Sequence, residues 1–108
     1  LIEAELLHVA NRLAEKLETI GFTVRSPRPL RSGIVSVTPP KFDLEKARKG
    51  AGLRKGVALK DPVHLLHRYL ERQKVICAPR EGMLRFAPHF YNDELDLDRA
   101  VAALRRVL

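Results

Sequence analysis

One arginine lies inside a short apolar run, where a permanently charged side chain is unexpected. Arg85 stands between Leu84 and Phe86, in a segment whose polarity alternates from residue 83 to residue 87. Alternation of period two predicts a β-strand with two distinct faces, and Pro88 ends it because proline has no N–H to donate. A guanidinium in such a strand must reach water or meet an anion.

Two interpretations of Arg85 follow from the residues alone. The guanidinium presents a planar set of donors that can hold a carboxylate through two parallel charge-assisted hydrogen bonds, so Arg85 is a candidate ligand-binding residue. The structural alternative is a surface strand arginine, exposed to water or paired with Glu81 in the turn before the strand. The residue types do not decide between these interpretations.

The run after the strand, His89-Phe90-Tyr91-Asn92, holds further candidates. His89 and the two aromatic residues could line a ligand site, although packing against neighbouring elements explains them equally well. Asn92 is a candidate for substrate contact, and its simpler role is an Asx turn or cap at the start of the last helix.

The histidines and the single cysteine offer little other chemistry. His64 and His67 lie three apart on a predicted helix, and with Cys77 and His89 they could be assembled into a zinc site. The chain has one cysteine and therefore no Cys-x-x-Cys pair to complete such a site, so we predict no metal site. Cys77 stands between Ile76 and Ala78, which favours a small core residue over a nucleophile and excludes an internal disulfide framework.

Composition indicates one globular domain. The chain has 108 residues, of which 45% are hydrophobic and 31% charged, and no apolar run is long enough to span a bilayer. The net charge of +7 leaves a basic module that binds RNA or DNA as the alternative function. The positive residues are spread along the chain, however, and do not interleave with aromatic residues as in stacking platforms.

The first half of the chain predicts a helix, two strands and a loop. Apolar residues spaced by three or four over residues 2–20 (Ile2, Leu6, Val9, Leu13, Leu17 and Ile20) indicate an amphipathic helix that ends at Gly21. Residues 22–25 and 32–38 are predicted to form an antiparallel pair of strands. Residues 39–60 are basic and contain three glycines, which favours a mobile loop over a helix.

The second half predicts a helix, a hairpin and a last helix. Asp61-Pro62 has the pattern of a helix start, and the helix is expected to reach residue 73. Residues 75–78 and 83–87 are predicted strands joined by a turn at Glu81-Gly82. The last helix should begin at Asp93 and bury Leu97, Val101, Leu104 and Leu108. This order predicts an α+β fold, a small antiparallel sheet of about four strands covered on one face by helices.

Two stretches resemble motifs of a known family. The first is Leu84-Arg85-Phe86-Ala87, then Pro88-His89-Phe90-Tyr91-Asn92, then Asp93-Glu94-Leu95-Asp96; the second is Arg31-Ser32-Gly33-Ile34-Val35-Ser36-Val37. Together they resemble the C-terminal segment of class V aminotransferases, pyridoxal-phosphate (PLP) enzymes of fold type I that include cysteine desulfurases, selenocysteine lyases and kynureninases. The resemblance covers roughly the whole chain, but only as the C-terminal part of a longer family chain.

The resemblance implies that residues 1–108 are the single small C-terminal domain of a longer protein, an expectation that Leu1 within a helical pattern also suggests. It implies that Arg85 binds the α-carboxylate of an amino-acid substrate and that His89 and Asn92 lie near it. PLP would be held by a large domain, since the family's Schiff-base lysine motif does not occur here and no catalytic residue is expected in this segment. A cytoplasmic homodimer acting as a lyase, aminotransferase or hydrolase is also implied.

Overall fold

A computed structural model describes residues 2–27, 33–53, 61–87 and 94–108. Within these ranges the chain forms four helices and four strands. They are α1 (Ile2–Thr19), β1 (Thr23–Val24), β2 (Val35–Thr38), α2 (Leu44–Gly50), α3 (Pro62–Arg72), β3 (Ala78–Arg80), β4 (Met83–Phe86) and α4 (Glu94–Arg105).

The four strands form one antiparallel sheet in the order β1-β2-β4-β3. β4 therefore lies inside the sheet, between β2 and the edge strand β3. Val37 is opposite Val24 on one side and Leu84 on the other. The side chains of these three residues therefore point to the same face of the sheet. The predicted α+β fold with a four-stranded antiparallel sheet is confirmed.

The hydrophobic core lies between one face of this sheet and the helices. Val35, Val37, Leu84 and Phe86 are all almost fully buried on that face. α1 packs against β1 and β2, α3 packs against β3 and β4, and α4 packs against α1 and α3. Burying a side chain of this size contributes about 1.5–3 kcal/mol, so this layer is the main source of stability.

α1 follows the predicted pattern where its side chains are described. Leu13 and Leu17 are buried, and Val9 and Ile20 are partly buried against the core. The side chains of Ile2 and Leu6 lie outside the described part of the chain. Gly21 has φ +99°, which an L side chain rarely adopts, and this confirms it as the residue that ends the helix.

The predicted turn at Glu81-Gly82 is confirmed, but the strand before it is displaced from its prediction. Both turn residues have positive φ, 49° and 78°, as a two-residue type I′ hairpin turn requires. This turn pairs Arg80 directly with Met83 and so places β3 at Ala78–Arg80, not at residues 75–78. Pro79 is tolerated because β3 is an edge strand.

The prediction of a loop over residues 39–60 is wrong for Leu44–Gly50, which forms α2. The Asp43 side chain caps this helix by accepting a hydrogen bond from the Lys46 N–H at 3.1 Å. Ala47 and Ala51 are buried, and α2 packs against α3. α2 is therefore stabilised by contacts with the rest of the fold, which the helix propensity of its own residues does not reveal. Residues 54–60 lie outside the described part.

The buried stripe of α4 also differs from its prediction. Leu97 and Leu104 are buried as expected, but Val101 is only partly buried and Leu108 is 41% exposed. The remaining buried positions of this segment are Ala100, Ala103 and Val107. Small residues allow α4 to approach its neighbours closely, a contribution that a search for large apolar residues misses. The predicted start at Asp93 is outside the described residues.

Charged side chains join α1 to α4 at the surface. Arg12 Nε lies 3.0 Å from Glu94 Oε1, and Lys16 Nζ lies 3.0 Å from Asp98 Oδ1. These ion pairs lie beside the buried stripe of α1 that contains Leu13 and Leu17. None of the helices in the described ranges is both long and apolar enough to cross a membrane.

Candidate functional site on the open face of the sheet

The second face of the sheet carries the candidate site, and we call it the open face. The strand registers place eight outward side chains on it: Thr23, Arg25, Ser36, Thr38, Ala78, Arg80, Met83 and Arg85. Along β2 and β4 these residues alternate with buried ones, and all eight are partly or fully exposed. The open face therefore carries three arginines, and none of the four described strands contains an acidic residue.

Arg85 occupies a position near the middle of this face. It is exposed on β4, directly opposite Ser36 of β2 and Ala78 of β3. Both neighbours have small side chains. Side chains directly opposite on one face are the closest neighbours in a sheet.

Of the two forms of the structural alternative for Arg85, the ion pair with Glu81 is not formed, whereas exposure at the surface of the strand is what the structure has. Glu81 lies in the hairpin turn with positive φ and makes no ion pair with Arg85. Within the described ranges the Arg85 side chain has no hydrogen-bond or ion-pair partner. No carboxylate of the described ranges therefore compensates its charge.

Arg25 is a second cation on the open face, and no sequence motif predicts a role for it. Its backbone N–H donates to the Ser36 carbonyl oxygen at 2.7 Å, which continues the pairing of β1 with β2 by one residue. Its Nε lies 3.3 Å from Thr38 Oγ1, so the side chain lies along the open face. Only the register of β1 against β2 brings it beside Ser36, and no local motif signals that register.

Ser26 supports this arrangement at the end of β1. Its Oγ accepts a hydrogen bond from the Ser36 N–H at 2.8 Å and lies 3.4 Å from the Ile34 carbonyl oxygen. The side chain of Ser26 thus satisfies a backbone group of β2 that a longer β1 would satisfy. This hydrogen bond helps to hold Ser36 in its position between Arg25 and Arg85.

The other predicted site residues of the signature lie outside the described residues. His89 and Asn92 belong to residues 88–93, and Arg31 and Ser32 of the second motif belong to residues 28–32. Their proposed proximity to a substrate stays a prediction. Arg85 is the predicted site residue that the structure places.

The histidines and the cysteine weighed as metal ligands have other surroundings. His64 Nδ1 lies 2.8 Å from Asp61 Oδ2 at the start of α3, and His67 Nδ1 lies 3.8 Å from Glu71 Oε1. Within the described ranges, no three His, Cys, Asp or Glu residues form a group that could hold a metal ion. Burial, with a smaller effect of Glu71, raises the pKa of the Cys77 thiol to about 12, so the residue is a protonated core side chain at neutral pH.

The open face can bind an anion, but its described side chains do not supply a general acid or base. Arginine, serine, threonine, methionine and alanine are its residue types. Guanidinium groups stay protonated at physiological pH, so they position a ligand without exchanging a proton with it. This composition favours recognition of a carboxylate over chemistry at a reacting bond.

Comparison with known proteins gives one short similarity. The chain is 53% identical over 32 residues to an uncharacterized aminotransferase, YcbU, of Bacillus subtilis (strain 168). The similar stretch is 30% of this chain and 9% of that protein, so the chain matches only a small part of its relative's length. No family model matches the chain, and no solved structure matches it. The similarity relates this stretch of the chain to an aminotransferase.

Proposed function

We propose that this chain is the small C-terminal domain of a PLP-dependent enzyme of the class V aminotransferase family, acting on an amino acid. Its role in that enzyme is to bind the α-carboxylate of the substrate through Arg85. The observation that carries the proposal is the position of Arg85, exposed on the open face between Ser36 and Ala78 without a protein anion beside it in the described ranges. The similarity to an aminotransferase supports the same function.

The surroundings of Arg85 suit a carboxylate. Ser36 and Ala78, the residues opposite Arg85, have small side chains that leave room beside it for a planar ligand. β4 is hydrogen-bonded on both sides and its Leu84 and Phe86 are buried, so the backbone that carries Arg85 is rigid. A rigid strand keeps the two parallel hydrogen bonds of a guanidinium–carboxylate pair in register.

The described residues do not fit a PLP site. A lysine that forms a Schiff base is activated in a desolvated pocket, and no charged residue of the described ranges is buried. Lys16, the least exposed lysine of the described ranges, is paired with Asp98 and Glu94. The proposal therefore assigns PLP to a large domain of a longer chain, where it supplies the electron sink of the reaction.

The contribution of this domain is to bind and orient the substrate. With its carboxylate held by Arg85, the substrate has its Cα at a fixed distance from β4. Movement of the open face toward the cofactor would then exclude water from the reacting centre. The large domain would decide which bond is broken, and therefore whether the enzyme is a lyase, an aminotransferase or a hydrolase. The full-length chain would form a homodimer.

A nucleic-acid-binding module is the alternative that the net charge suggests. Single-stranded nucleic acid is bound by stacking bases on exposed aromatic side chains beside cations. Phe86 is the aromatic residue of the four described strands, and it is buried on the opposite face. The open face therefore has cations without a stacking platform, which favours a small anionic ligand.

The test uses the full-length enzyme with Arg85→Ala, and Arg80→Ala as the matched control. Arg80 lies on the same face but on the edge strand β3. We expect Arg85→Ala to lower kcat/KM for the amino acid by at least tenfold while the PLP absorbance and the folded state are retained. The control should stay near the wild-type value. An Arg85→Ala enzyme with kcat/KM within about twofold of wild type would show that Arg85 is a structural strand residue.

A further inference from the structure

We propose that Arg25 forms a second anion subsite on the open face, so that the site prefers a dicarboxylic amino acid over one with a neutral side chain. The inference rests on the proposed function for the first carboxylate, which Arg85 binds. The second carboxylate, on the substrate side chain, is bound by Arg25. Ser36 lies between the two arginines and its hydroxyl is available to either carboxylate.

Arg25, Ser36 and Arg85 lie side by side on three neighbouring strands, and this arrangement defines the geometry of the site. Arg85 is opposite Ser36, and the Arg25 N–H donates to the Ser36 carbonyl oxygen at 2.7 Å on the other side of β2. The two arginines are therefore two strands apart, roughly 10 Å between their backbones, since neighbouring strands are separated by about 4.8 Å. Both side chains are long enough to converge over Ser36, and a diacid can bridge the space between them.

The Arg25 guanidinium is held without being neutralised. Its Nε contacts Thr38 Oγ1 at 3.3 Å, and a hydroxyl carries no charge. The terminal nitrogens remain available, because no carboxylate of the described ranges pairs with Arg25. One contact to a neutral side chain limits the rotamers of Arg25 and leaves its charge for a ligand.

Charge complementarity identifies the ligand as a dianion. Arg25 and Arg85 lie on one face, and the four strands that form it carry no acidic residue. A ligand with two carboxylates compensates both charges at once, whereas a monocarboxylate compensates one.

The experiment measures the preference of this chain for a diacid. Backbone amide NMR titrations compare glutarate with acetate at constant ionic strength, for wild type, Arg25→Gln, Arg85→Gln and Arg80→Gln. We expect glutarate to bind wild type at least tenfold more tightly than acetate and to shift the amides of Arg25, Ser36 and Arg85. Arg25→Gln should lose roughly tenfold in glutarate affinity, the effect of one charge-assisted pair, and bring it to the acetate level. Retained amide dispersion identifies folded variants.

The variants separate this inference from the proposed function. If Arg85→Gln weakens acetate and glutarate alike while Arg25→Gln leaves glutarate unchanged, the second subsite is overturned and the role of Arg85 stands. Glutarate affinity equal to that of acetate in wild type overturns the subsite as well. If the control Arg80→Gln weakens glutarate as much as Arg25→Gln, the binding is a response to net charge, and the subsite is again overturned.

Discussion

The phenol of Tyr69 donates a hydrogen bond to the carbonyl oxygen of Ala103 at 2.6 Å and thereby joins α3 to the last turn of α4. Tyr69 is 3% exposed, and burial raises the pKa of its hydroxyl. Ala103 belongs to the last four residues of α4, whose carbonyl groups have no partner within the helix. A side chain of one helix thus satisfies the end of another.

Tyr69→Phe is expected to lower the free energy of unfolding by about 1–2 kcal/mol. The change keeps the ring and removes the donor, so the Ala103 carbonyl loses its partner in a buried position. Urea unfolding followed by circular dichroism measures the effect. Thr19→Val is the control, because the Thr19 hydroxyl binds Glu15 of its own helix at an exposed position and its loss should change stability by less than about 0.5 kcal/mol.

A second prediction concerns Gly50, which lies against the ring of Tyr69. A Cβ at Gly50 would overlap Cδ1 and Cε1 of Tyr69. Glycine to alanine inside a helix normally stabilises by up to about 1 kcal/mol, but here we expect a loss of about 1–3 kcal/mol from overpacking. A double-mutant cycle with Tyr69→Leu checks the cause, since the smaller side chain should remove most of the penalty. Equal effects in both backgrounds would contradict the clash.

The local patterns of the sequence predicted the elements that depend on local chemistry. The face alternation of β4, with Arg85 exposed beside buried Leu84 and Phe86, followed from a period of two. The cap at Asp61 and the turn at Glu81-Gly82 followed from residue types with specific backbone preferences. In each case the interaction that fixes the element lies within a few residues of it.

Long-range contacts explain what the sequence did not predict. α2 is stabilised by burial of Ala47 and by the close approach of Gly50 to Tyr69, nineteen positions later in the sequence. The position of Arg25 beside Ser36 depends on the register between β1 and β2. Glycines and a β1 of only two residues carry no local signal for such contacts, so periodicity alone could not place them.

The N-terminus of α3 should make stability depend on acid pH. The His64 ring beside Asp61, together with the Val63 N–H, holds the pKa of the Asp61 carboxyl below its ordinary value. A carboxyl with a lowered folded-state pKa stabilises the protein above its unfolded pKa of about 4, and this contribution disappears as the pH falls through the folded value.

Asp61→Asn keeps a capping acceptor but has no charge to titrate. We therefore expect it to be less stable than wild type near neutral pH, and the difference should shrink as the pH falls below about 4. Thermal unfolding from pH 7 to pH 2 measures this. His64→Gln should shrink the pH dependence while leaving the cap, whereas Asp61→Ala should lose about 1 kcal/mol at neutral pH through the missing cap. If the difference in stability between Asp61→Asn and wild type does not change with pH, the charge of Asp61 does not stabilise the folded state.

Arg85→Lys in the full-length enzyme tests whether the shape of the guanidinium matters as well as its charge. Lysine keeps the positive charge but offers a single ammonium in place of two parallel donors. The loss of one charge-assisted hydrogen bond costs roughly 1.5–3 kcal/mol, and about 1.4 kcal/mol is a factor of ten, so kcat/KM should fall by roughly 10- to 100-fold. Arg85→Ala should fall further, because it leaves the substrate carboxylate without a partner.

An amine that lacks the carboxylate distinguishes this role from a general loss of activity. Wild type should use the amine poorly, since Arg85 has nothing to bind, and Arg85→Lys should lose little more with it. The ratio of kcat/KM for the amino acid to that for the amine should therefore collapse in the variant. If both substrates decline by the same factor, Arg85 acts on the folded state or on domain closure and not on the carboxylate. Arg80→Lys, on the neighbouring edge strand, should leave the ratio at its wild-type value.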